Sequence, residues 1–138
     1  MTSLPLALAC IWLGMVVAIS IEAPLKFRAP GITLPLGLGI GRLVFRALNA
    51  AEIVLATATA VTFALAARPL AATVLLIALA VTLAAQVLIL RPRLEVRAQL
   101  IIDGATPPES RAHLVYIALE GLKVLMLTAF GIILMFGA

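Results

Sequence analysis

The residues that most soluble chemistry relies on are scarce in this sequence. It holds one cysteine (Cys10), one histidine (His113), one tryptophan (Trp12) and one tyrosine (Tyr116). A single cysteine excludes an internal disulfide and a CxxC metal motif. One histidine, one cysteine and scattered carboxylates do not make a transition-metal site, so no metal of that kind is expected. Charge is scarce as well: 12% of the 138 residues are charged, against about 25% in a soluble domain. The first five residues carry no Lys or Arg, so the charged start of a secretory signal is missing and the segment reads as a retained helix. The alternation of a membrane barrel is absent too.

What is present is apolar. Hydrophobic residues make up 64% of the chain, and the mean hydropathy is +1.25. This composition predicts an integral membrane protein of one domain, 1–138, in contact with the lipid bilayer. Four spans are expected at 4–21, 43–66, 70–90 and 114–136, each able to cross about 30 Å of hydrocarbon as a helix. The predicted fold class is all-α, an antiparallel four-helix transmembrane bundle. The connections differ in length. "AARPL" reads as a tight turn. Residues 22–42, "EAPLKFRAPGITLPLGLGIGR", read as a long interfacial or partly re-entrant connection. Residues 91–113 read as a polar connection with a turn at Asp103-Gly104. Thr106 to Glu109 fits a capping box, so the last helix is expected to begin near Thr106.

The formal net charge of +4 does not point to nucleic acid, because the basic residues flank apolar segments. The two long connections hold Lys26, Arg28, Arg42, Arg91, Arg93, Arg97 and Arg111, and the opposite side holds only Arg68. The bias places the long connections in the cytoplasm and both termini outside, in the plasma (inner) membrane.

"LVYIALEGLKVLMLTAFGIILMFGA" raises the functional question, because Glu120 and Lys123 lie inside a membrane-grade run. At 100° per residue, Arg42, Arg46, Asn49 and Glu52 share one arc of the second helix. His113, Tyr116, Glu120 and Lys123 share one of the last. Gln86 adds a polar group from the third. Ionisable groups inside spans usually face a bundle interior or a wet cavity. A polar cleft open to the cytoplasm is therefore expected, with Arg46, Asn49, Glu52, Tyr116, Glu120 and Lys123 as its candidate ligand or ion residues. Two plainer arrangements stay open: Glu120 and Lys123 neutralise each other at i,i+3, and Arg46 or Asn49 satisfies Glu52. Within this set, carboxylates suit a proton or a hard cation. "GLGIGR" lacks the strand and the G-K-[ST] of a phosphate loop and reads as a hinge, with Arg28 and Arg42 as candidate contacts for a lipid phosphate. The alanines of the second helix suit close packing and a homo-oligomer, or a partner membrane protein.

Two resemblances follow. "GMVVAISIEAPLKFRAPG" and "RAHLVYIALEGLKVL" resemble stretches of a four-span family related to transmembrane protein 205, which implies a multi-pass fold and a transport or stress-linked role. "RLVFRALNAAE" is similar to the Arg…Asn-x-x-Glu stretch of the membrane enzymes of eicosanoid and glutathione metabolism. That likeness implies glutathione as cofactor, contacted by Arg46, Asn49 and Glu52, although the Arg46–Asn49 spacing is one residue short of the pattern. Beyond these, no cofactor is expected. Three function classes result: transport or ion handling, an integral membrane enzyme dependent on glutathione or lipid, and an accessory subunit of a larger membrane complex.

Overall fold

Thr33 opens the longest uninterrupted α-helix of the chain. Its side chain accepts a hydrogen bond from the Leu36 backbone N–H at 3.3 Å, and Pro35 occupies a first-turn position where no N–H is required. Just before it, Gly31 turns the backbone at φ 79°, a conformation that favours glycine. The computed structural model describes residues 3–66, 69–107 and 111–136. Among them there is no strand. The elements are α1 (Ser3–Leu25), a 3₁₀ turn (Lys26–Arg28), α2 (Leu34–Ala64), α3 (Leu70–Ala85), a π turn (Gln86–Leu90), α4 (Arg91–Ile102) and α5 (Ala112–Phe136). The third, π and fourth segments run on without a break. Four stretches result, Ser3–Arg28, Leu34–Ala64, Leu70–Ile102 and Ala112–Phe136, each long and apolar enough to cross a membrane.

The connections differ from the sequence reading. Residues 34–42, expected as an irregular connection, form the first turns of α2. The glycines there form a notch for neighbouring side chains. A Cβ on Gly37 would stand 2.2 Å from the Phe27 ring, and one on Gly41 would stand 3.3 Å from Lys26 Nζ. Close packing there offsets the helical cost of glycine, about 1 kcal/mol each. Residues 91–102, expected as a polar connection, form α4. Pro92 lacks the N–H of a regular turn and would crowd the carbonyl four residues back. The π turn just before it absorbs this, with the Arg91 N–H reaching back to the Gln86 carbonyl.

The turn at Asp103-Gly104 is as expected. The Ala105 N–H bonds to the Leu100 carbonyl at 2.9 Å and the Gly104 N–H to the Ile101 carbonyl at 3.0 Å, with Gly104 at φ 88°. These are the paired bonds of a Schellman ending. The last helix begins at Ala112, not at Thr106. Consecutive prolines at 107 and 108 disfavour helical conformation in the residues before them. Glu109 of the expected capping box and Arg68 of the charge count lie outside the described residues.

Each helix buries one seam. On α1 it is Pro5, Ala9, Trp12 and Val16, and on α5 it is Tyr116, Glu120, Lys123, Leu127, Phe130 and Leu134. Steps of three and four keep each set on one stripe. α1 packs on α2 and α5, α5 on α3, and α2 on α4. The carbon core gathers around Trp12, Phe63, Leu79, Leu127 and Phe130, with the Phe63 and Phe130 rings 5.5 Å apart. The other flanks stay apolar in the open: Leu65, Leu70 and Phe136 are 82%, 80% and 79% exposed.

Candidate functional site

The α5 seam changes chemistry halfway along. Leu127, Phe130 and Leu134 are carbon, while Tyr116, Glu120 and Lys123 are polar, yet all occupy equivalent buried positions. The charges that looked misplaced in the last span are therefore core residues, and the other helices supply their partners. Lys123 Nζ donates to both oxygens of Glu52, at 2.7 and 2.8 Å. It also lies 3.1 Å from Glu120 Oε1. Two of the ammonium's three donors thus go to Glu52, and Glu120 is held as an ion-pair contact. The Lys123 and Glu52 side chains are fully buried.

Gln86 reaches this triad from the π turn. Its Nε2 donates to Glu120 Oε1 at 3.0 Å and to the Tyr116 carbonyl at 3.4 Å. The Tyr116 hydroxyl donates to Asn49 Oδ1 at 3.4 Å. The Arg91 guanidinium lies over the Phe45 and Tyr116 rings, 4.7 and 4.8 Å from their centroids. The Trp12 indole is fully buried, and its N–H makes no hydrogen bond. Glu120 Oε2 is buried and also lacks a hydrogen-bond partner.

Beside the triad lies a partly open cavity of about 1020 Å³, lined by α1, α2, α4 and α5. Lys26, Arg42, Arg91, Arg97 and His113 line it together with apolar side chains such as Ile21 and Ile117. Tyr116 and Glu120 belong to both the buried network and the cavity wall. The distance along α5 from His113 to Val124, both in the lining, is about 16 Å at 1.5 Å per residue.

The six candidate cleft residues separate into an interior group and one outlier. Asn49, Glu52, Tyr116, Glu120 and Lys123 are buried in one connected network. Arg46 is exposed and bonds through Nε to Glu95 Oε1 on α4, at 2.8 Å. Neither Arg46 nor Asn49 satisfies Glu52; Lys123 does. Arg46, Asn49 and Glu52 therefore do not converge on one ligand position. Of the two lipid-phosphate candidates, Arg42 lines the cavity and bonds to Gln99 on α4, whereas Arg28 is exposed at the end of the 3₁₀ turn.

Glu95 and the stacked Arg91 were not anticipated. The only local signal for them was a run of charges in what looked like a loop. Among the described residues no group of three or more His, Cys, Asp or Glu side chains could hold a metal. No protein-family model, curated protein or solved structure matches the chain.

Proposed function

We propose that this chain is a multi-pass protein of the plasma membrane, an antiparallel four-helix transmembrane bundle that handles a proton or small cation together with a small molecule in its cavity. Both termini lie outside and the basic end faces the cytoplasm. Exposed Leu, Ile, Val and Phe on every long helix support the membrane setting, because soluble monomers rarely expose contiguous apolar patches beyond a few hundred Å².

One observation carries the functional reading: Glu120 is shared between a buried charge cluster and the cavity wall. Glu52, Glu120 and Lys123 hold two negative charges against one positive when all are ionised. In a low-dielectric interior that excess is costly, and one proton or cation removes it. Glu120 is the member that reaches the cavity, so exchange with a ligand or solvent there runs through its carboxylate.

The test is flux. The purified protein is reconstituted into proteoliposomes with a trapped pH dye, and a pH gradient is imposed under a clamped membrane potential. Wild-type protein should collapse the gradient faster than empty vesicles and faster than Glu120→Gln. Equal rates in all three would overturn the reading.

A further inference from the structure

The cavity lining is unequally charged. Of the cationic side chains in the lining, Lys26 pairs with Glu22 at 3.8 Å, while Arg42 and Arg91 stand in the same wall as one carboxylate, Glu120. These two arginines carry unspent donors: Arg42 Nε and Arg91 Nε are buried and have no hydrogen-bond partner. A buried guanidinium N–H without an acceptor is costly, and an anionic oxygen is the group that best meets it. The remaining wall is mostly carbon, from Val17 and Ile21 on α1 to Ile117 and Val124 on α5. The volume of about 1020 Å³ stands at the upper end of small-molecule sites, which run to about 1,000 Å³.

From this we infer that the cavity binds an anionic membrane amphiphile, with its headgroup on Arg42 and Arg91 and its acyl chain between α1 and α5. The inference rests on the reading of triad and cavity as one site, and it names the class of ligand. The headgroup oxygens take the guanidinium N–H groups of Arg42 and Arg91, and Lys26 lies in the same lining. The chain runs along Ile21 and Ile117 past Glu120 towards Val124. A filled tail channel stands beside Glu120, so the ligand and the triad share one wall. Gly121 marks the channel on α5: a Cβ there meets no atom within 4 Å, so a larger side chain can enter the channel without disturbing the fold.

Binding is read with dansyl-undecanoate, a fluorescent fatty acid, titrated into the protein in non-ionic detergent against empty micelles. Saturable binding is expected. Arg91→Ala should weaken it about tenfold, the loss of one charge-assisted contact. Gly121→Leu should abolish it while leaving the unfolding temperature unchanged. Oleate and lysophosphatidylglycerol should displace the probe, which fits a membrane source of either headgroup. Displacement by inorganic phosphate alone would mean a free-anion site and would overturn the inference. So would equal affinity for the uncharged amide of the probe, or unchanged binding in Gly121→Leu. The two readings fail separately. Probe binding without proton flux removes only the transport reading, and proton flux without probe binding removes only this one.

Discussion

Lys123 meets three carboxylate oxygens inside an apolar bundle, and that geometry sets what its loss would do. Taking away one partner of a buried ion pair leaves an uncompensated charge, at a cost of about 3–5 kcal/mol. Lys123→Met should therefore lower the unfolding midpoint in detergent sharply. The triple variant Glu52→Gln, Glu120→Gln, Lys123→Met removes all three charges together and should recover most of that loss. A triple variant no more stable than Lys123→Met would show that the charges are not what the site has to balance. The Arg46–Glu95 bridge is the contrast. Arg46 stands in the open, where ion pairs are weak and salt-screened. Arg46→Ala should leave the unfolding midpoint nearly unchanged in the same assay.

For the elements, the informative joint is between the 3₁₀ turn and the start of α2. Phe27 fills the space that a side chain at position 37 would need. Gly37→Ala should cost about 1–3 kcal/mol as an overpacking defect. Phe27→Ala combined with Gly37→Ala should cost less than the sum of the two singles, because one variant makes room for the other. Additive costs in a thermal double-mutant cycle would place Phe27 elsewhere. α4 depends on a different device. Its Pro92 is tolerated because the turn before it widens, and the widened turn presents Gln86 to Glu120 and Arg91 to the aromatic pair. One backbone irregularity thus supplies both the network and the cavity with a side chain.

At the scale of the whole molecule, the arrangement is a carbon core near the chain termini and a polar core nearer the basic end, with the cavity alongside. Glu52 and Lys123, two of the residues expected to line a polar cleft, have no exposed surface here, which sets a dry cluster beside the expected wet cleft. Single cysteines in a Cys10→Ala background separate the two pictures. A cysteine at position 117, exposed and in the cavity wall, should react with an impermeant thiol reagent added from the cytoplasmic face. A cysteine at position 52 should stay silent. Labelling at 52 as fast as at 117 would restore the wet cleft, and labelling of 117 only from outside would invert the orientation.

Composition and periodicity were enough for the class of structure. Four long apolar runs close their backbone hydrogen bonds locally, so each predicts a helix without knowledge of its neighbours. The same holds for the turn at Asp103-Gly104 and for the shared arc of Tyr116, Glu120 and Lys123, which depend on residues a few positions apart. Local pattern failed at residues 34–42 and 91–102. Glycine and charge there suggest loops, but a Phe27 ring in a glycine notch and the packing of α4 on α2 stabilise helix through contacts outside each segment. Partner choice was hidden for the same reason. Glu52 and Lys123 lie 71 residues apart, and the spacing within α5 offered Lys123 a nearer partner in Glu120. Only the tertiary arrangement, in which the long Lys123 side chain of α5 reaches Glu52 of α2, could show that Lys123 serves both carboxylates and that Glu120 alone of the three reaches the cavity.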